Sequence, residues 1–286
     1  MTDPAEETGP QIRAVLHPTD FTTSSERAFA HALKIALAGK TRLDLLHVEA
    51  RETDQLDWTA FPAVRQTLAG WGLLEGDSPP EAVAERLGVR LRKVQVHDRD
   101  AVRAILKFLE THPSDLIVLA THGREGLPRW LHGSIAEPLA RQAVTSTLFI
   151  PHGGPGFVAP DTGTVQLRRI LIPIDHAPRP DAAVQCVWEL SRLLGVEVPA
   201  VRLLYVGADD DMPAVRLPPA LAGQAERIVR SGDVVDAVLD DARELEADLI
   251  AMATAGHQGF LDALRGSTTE RVLRQAPCPV LAVPAV

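Results

Sequence analysis

DLIVLATHGREGLPRWLHGSIAEPLARQAVTSTLFIP, residues Asp115 to Pro151, returns later in the chain as DLIAMATAGHQGFLDALRGSTTERVLRQAPCPVLAVP, residues Asp248 to Pro284. Every position recurs 133 residues on, with nothing inserted between. Such self-similarity means one structural unit built twice, and it decides the architecture before any local reading. Working outward, RAVLHPTD (Arg13 to Asp20) is answered 155 residues later by RRILIPID (Arg168 to Asp175). LDLLHVEA, with Val48, is answered by VRLLYVGA, with Val206. From Val48 to Asp98 is 50 residues, whereas Val206 to Ser231 is 25, so the first half carries 25 extra. That excursion contains Trp58, Phe61 and Trp71; it reads as a lengthened loop and helix, with a lid or partner surface as the alternative. The Gly- and Pro-rich stretch His152 to Gln166 has no helical period and reads as a linker. The expected division is a first domain at 1–152, a linker at 153–167 and a second domain at 168–286.

Within the first half, AVLHP, LDLLHV, LRKVQV, DLIVLA and TLFIP are short apolar runs of the kind buried on both faces of a sheet. Helical periodicity lies between them: TSSE (Thr23 to Glu26) has capping-box spacing, and Phe29, Leu33 and Ala36 follow at helical intervals. Val187, Leu190 and Leu194 do the same in the second half. Strands alternating with helices require crossover connections and hence a parallel sheet. The fold class is therefore α/β, two doubly wound five-stranded parallel-sheet domains packed as a pseudo-dimer. In such sheets a ligand sits at the carboxyl ends of the strands, where the strand order reverses.

Composition narrows the function. The chain has 286 residues, 45% hydrophobic and 23% charged, enough for packed cores and far from the composition of disorder. A net charge of −9 argues against nucleic acid, whose binding relies on clustered Lys and Arg. No apolar run approaches the roughly 20 residues needed to span a bilayer, and the N-terminus MTDPAEETGP is acidic; the expectation is a cytoplasmic protein without a membrane partner. Cys186 and Cys278 lack CxxC spacing and read as small buried hydrophobes.

After the fourth strand, the first half reads Ala120, Thr121, His122, Gly123, nine residues, then Gly133 and Ser134. The second reads Ala253, Thr254, Ala255, Gly256, nine residues, then Gly266 and Ser267. Glycines let backbone approach a ligand, and a Gly-Ser helix start offers N–H groups and a hydroxyl to an anion. The ordered set resembles the G-x2-G-x9-G-[S/T] loop of ATP-binding universal stress proteins, with PxD after the first strand and a closing APCPV strand. The resemblance covers nearly all of both halves. It implies a Rossmann-like fold of the adenine nucleotide alpha hydrolase type, and binding of ATP, AMP or ADP, with Mg²⁺, as a stress-linked signal with at most slow hydrolysis. It also implies that the last strands of the modules pair, that tandem chains form a homodimer, and that a protein partner reads the signal. By resemblance Asp20 and Asp175 contact adenine, Val48 and Val206 flank the base, and the loop glycines and serines hold ribose and phosphate. Pro173, Ile174, Gly232, Met252 and Thr268 complete the second-half set. Glycines that only shape tight turns are the alternative. The first motif glycine is Ala120 in one half and Ala253 in the other, and after the third strand the first half has His97, Asp98, Arg99 and Asp100 where the second has Ser231, Gly232 and Asp233, which puts a bulky cation where close approach is wanted. The second half is accordingly the expected binder.

Eight of the ten histidines lie in the first half. Asp20, His97 and His122 form a candidate zinc set, which would give a metal-dependent hydrolase half joined to a nucleotide-binding half. Against it, the spacing has no HExxH character. His17 and His47 read as core-side strand residues, His31 and His112 as solvated, and Asp209 to Asp211 as a solvated charge run.

Overall fold

The computed structural model describes residues 12–49, 63–121, 145–151, 154–255 and 268–285. The first half provides β1 (Ala14–Thr19), α1 (Thr23–Gly39), β2 (Arg42–Glu49), α2 (Val64–Gly70), α3 (Ala82–Leu87), β3 (Arg90–His97), α4 (Ala101–Thr111), β4 (Leu116–Thr121) and β5 (Ser146–Pro151). The second provides β6 (Arg169–Pro173), α5 (Asp181–Leu193), β7 (Ala200–Val206), α6 (Pro219–Ala222), β8 (Ala225–Arg230), α7 (Val234–Glu244), β9 (Leu249–Thr254), α8 (Thr268–Gln275) and β10 (Val280–Pro284). All ten strands belong to one sheet in the order β3-β2-β1-β4-β5-β10-β9-β6-β7-β8. Pairing is parallel within each half, and antiparallel only where β5 meets β10, with Leu148 opposite Leu281. The family-type pairing of last strands thus occurs inside one chain and makes the pseudo-dimer.

Side chains alternate across the sheet because successive Cβ atoms point to opposite faces. Val15 packs with Phe29 and Leu33 of α1, and Leu16 packs with Ile105 and Phe108 of α4 on the other side. In the second half α5 shares the face of α1, while α7 and α8 share that of α4. Each buried Leu, Val or Phe on these faces contributes about 1.5–3 kcal/mol relative to exposure. Both clusters run unbroken through the β5–β10 seam, Leu148 with Leu281 on one face and Phe149 with Val280 on the other.

Three local expectations are corrected. The capping box does not form: Thr22, not Thr23, is the N-cap of α1 and makes no side-chain cap. Instead the Asp20 carboxylate accepts from the Thr22 hydroxyl at 2.7 Å and the Ser25 hydroxyl at 2.9 Å, drawing them away from the helix end. His31 is not solvated but fully buried. Residues 154–167 lie across it: the His31 ring carries the Arg27 carbonyl against Nδ1 and accepts the Val158 N–H at Nε2, with Phe157 edge-on at 4.5 Å. His112 is half-buried and stacks on Phe108 at 4.4 Å, because the end of α4 brings the two rings together. The same crossing segment is fixed to the excursion, where the Trp71 indole N–H donates to the Pro160 carbonyl at 2.9 Å. Its ring lies where a side chain at Gly163 would stand, 2.5 Å from a Cβ there. Val64, Leu68 and Leu74 of the excursion are buried in the α1-side core, so this part packs as a structural layer. Trp58 and Phe61 lie outside the described residues.

Candidate functional site

In the second half the chain runs from β6 outward to β7 and β8, then returns to place β9 on the other side of β6. The strand order therefore reverses between β6 and β9, and the crevice there is the place for a ligand. The predicted residues gather along this rim. Pro173 ends β6, followed by buried Ile174 and exposed Asp175; Val206 ends β7; Met252 and Ala253 end β9; Thr268 opens α8. Gly232, after β8, has φ +108°, a conformation that side chains rarely adopt, and a Cβ built there would meet nothing within 4 Å. Gly256, Gly266 and Ser267 lie outside the described residues.

Beside this rim is a cavity of about 370 Å³, lined by Asp175, His176, Arg179, Pro180 and the segment Asp210–Ala214. Apart from Asp175, its lining was not legible as a site. Asp210 and Asp211 sit in the charge run read as a solvated loop, and they do form an exposed 3-10 turn, Asp209–Asp211. The signal that would have found them is position: each lies within a few residues of the carboxyl end of β6 or β7.

At the far edge of the rim, Asp233 caps α7 by accepting the Val235 and Asp236 N–H groups, and Arg271 of α8 reaches it at 3.2 Å. The backbone N–H of Asp236 and the Arg271 guanidinium hold the Asp233 carboxyl below its ordinary range.

The first half repeats the crevice between β1 and β4, with Asp20 after β1, Val48 near the end of β2 and Ala120 near the end of β4. Gly123, Gly133 and Ser134 lie outside the described residues. After β3 the Asp98 carboxylate is occupied by Arg103 and by the Asp100 N–H at 2.9 Å, and the Arg103 pairing lowers its pKa. Asp20 follows β1 and His97 ends β3, with β2 between, so their backbones are about 10 Å apart at ordinary strand spacing. His122, the third member of the candidate zinc set, lies outside the described residues. Among the described residues no three His, Cys, Asp or Glu side chains are grouped so as to hold a metal ion.

An aromatic pair joins the loop after the first strand to the end of the second strand in both halves. In the first half it is Phe21 stacked on His47 at 4.3 Å; in the second it is His176 edge-on to Tyr205 at 6.1 Å. Phe21 has φ 62°, which turns its side chain back over the strand ends. Cys186, partly buried, and Cys278, buried, are free, and desolvation pushes both thiols up to about 12, which keeps them protonated at neutral pH. Among the described residues no helix is long and apolar enough to cross a membrane.

The family described as universal stress protein matches residues 11–151 and 220–284. The universal stress protein Rv2005c of Mycobacterium tuberculosis is 26% identical over 275 residues, covering 85% of this chain and 88% of that one. The universal stress protein Sll1654 of Synechocystis is 27% identical over 139 residues, covering 43% of this chain and 88% of its own. Among solved structures, a universal stress protein from Archaeoglobus fulgidus superposes with a TM-score of 0.62 at 20% identity, over 96% of this chain and 100% of that one, a likeness of fold. Matched by the family over parts of both halves and by a tandem-length relative across most of its length, the chain belongs to the universal stress protein family.

Proposed function

We propose that this chain binds an adenine nucleotide, ATP or a shorter relative, with the second-half crevice as the principal site. The observation that carries the reading is the reversal of strand order between β6 and β9, with Asp175 just after β6 and an open cavity of about 370 Å³, which Asp175 helps to line, on its β7 side. Its lining includes three carboxylates, Asp175, Asp210 and Asp211, against Arg179 and His176. That balance suits the amino-substituted base of a nucleotide better than its phosphates. The phosphates then extend toward Gly232 and the start of α8 at Thr268, with Gly256, Gly266 and Ser267 as their loop. Gly232 supports this, since its φ of +108° and the open space beside it leave room for a group lying against the backbone. A magnesium ion would arrive with the triphosphate, as is usual where the protein supplies few carboxylates of its own.

In the first half the place of Gly232 is taken by the Asp98–Arg103 pair, which is why the second half is preferred. Calorimetric titration with ATP tests the assignment. Asp175→Ala should weaken binding by tenfold or more, on the scale of a charge-assisted hydrogen bond. Gly266→Trp should abolish binding at this site, and unchanged affinity in both variants would refute it.

A further inference from the structure

The segment after β7 does not hang free over the cavity. The Tyr205 hydroxyl donates to Asp211 Oδ2 at 2.7 Å, and His176 Nε2 lies 2.8 Å from the Asp211 carbonyl and 3.4 Å from its Oδ1. Asp211 itself is held in the 3-10 turn by its N–H to the Ala208 carbonyl, at 3.0 Å. The Tyr205 ring reaches this position by passing over Gly207, where a Cβ would stand 2.6 Å from Cε1 and 2.7 Å from Cζ and the hydroxyl. A ring buried in the sheet-side core is thereby tied by its polar end to the loop after β7 and, through Asp211, to the loop after β6.

We propose that Tyr205, Asp211 and His176 form a clasp that sets the wall of the second-half cavity, so that Tyr205 and Asp211 are positioning residues for the base of the bound nucleotide. The part concerning the ligand rests on the nucleotide reading above; the clasp itself does not. It belongs to one half only. At the positions 158 residues earlier, the first half has His47 for Tyr205 and Glu49 for Gly207, and Glu49 turns instead to Gln95 at 3.2 Å. Two of the three clasp residues, His176 and Asp211, line the cavity directly, and Tyr205 stands behind them. Held against His176, Asp211 lines the cavity together with Asp210, Asp175 and Arg179, and carboxylates there can accept from a donor-rich purine edge.

The chain contains a single tyrosine, which makes the clasp visible in solution. The bond to Asp211, followed by partial desolvation and by the negative charges of Asp211, Asp175 and Asp210, raises the Tyr205 pKa above its ordinary value. Alkaline titration of the tyrosinate absorbance in the intact protein should therefore have its midpoint above 10, and Asp211→Ala should bring it back toward that ordinary value. A wild-type midpoint at the ordinary value would overturn the clasp. ATP affinity should fall about tenfold in both Asp211→Ala and Tyr205→Phe, on the scale of one lost hydrogen bond, with thermal unfolding lowered by no more than about 2–4 °C. Gly207→Ala should reproduce both effects by displacing the ring while keeping hydroxyl and carboxylate. Undiminished ATP affinity in Tyr205→Phe, beside a raised wild-type tyrosine midpoint, would overturn the positioning role alone. A wild-type protein that does not bind ATP would instead overturn the nucleotide reading and the positioning role with it, with the titration judging the clasp separately.

Discussion

The two halves place a charge at the same position of their second strand and give it opposite sign, fully buried in the first half and partly buried in the second. In the first half Asp44 of β2 is fully buried, with Arg42 Nε at 3.0 Å and Arg92 Nε at 2.9 Å, and the Arg92 guanidinium lies 5.5 Å from the Phe108 ring centre. In the second half, 158 residues on, Arg202 of β7 meets Glu226 at 2.9 Å and buried Asp241 at 3.5 Å. Cross-strand register puts Asp44 beside Arg92 and Arg202 beside Glu226, so the pair is the same pair reversed. The lesson is that a two-layer site under a helix needs its charge compensated, whereas the sign is free to change when both partners change together. By contrast Asp115 and Asp248 are identical in role. Asp115 accepts the Arg13 and Ala14 N–H groups at 2.8 and 2.9 Å, and Asp248 accepts those of Arg168 and Arg169 at the same distances. Here the partners are pairs of backbone N–H groups at a strand start, which can only donate, so the sign is fixed.

Breaking the reversed pair gives the largest expected effect. Asp44→Arg alone gathers three guanidinium groups at one buried position and should cost about 3–5 kcal/mol in chemical denaturation. Adding Arg92→Glu recreates the second-half polarity and should recover a substantial part of that loss; additive single and double variants would show that the two positions are not coupled.

Acid sharpens the comparison next. His17 and His31 are both buried in the first half, where desolvation pushes each pKa down to about 4, and the positions 155 residues on hold Ile172 and Cys186. His17 donates its Nδ1–H to the Val118 carbonyl at 2.8 Å, and among the described residues Nε2 finds no partner. A folded pKa below the unfolded value near 6.5 means the unfolded chain binds more protons between pH 6.5 and 4. Stability is therefore full above pH 6.5 and falls as pH drops toward 4, by at most about 3 kcal/mol per histidine. Denaturation followed by tryptophan fluorescence should show this slope, and His17→Ile should remove about half of it; a wild-type stability independent of pH over that range would contradict the burial of these rings in solution.

The smallest effect is the most symmetrical. Asp115→Ala and Asp248→Ala should each cost about 2 kcal/mol, the worth of charge-assisted bonds to backbone at a strand start. Equal losses in the two halves are expected from denaturant midpoints; a difference well beyond 1 kcal/mol would show that the repeat is not equivalent at this point.

Read alone, the amino-acid order determined the duplication, the ten strands and the class of sheet. Those features are local or periodic: apolar runs of strand length, helical spacing at Phe29, Leu33 and Ala36, and a repeat that needs no folding to be seen. It also put Asp175 and Gly232 just after strands and Met252 and Ala253 near the end of one, at the sheet edge where a ligand is expected, while their part in a site comes from the family resemblance. Only the tertiary structure decided that β5 and β10 pair within one chain, that residues 154–167 cover His31, and that Tyr205, Asp211 and His176 meet beside a cavity. None of these follows from spacing. Each depends on where a loop lands after a crossover, and that is set by the packing of whole helices against the sheet, which no short stretch of sequence contains.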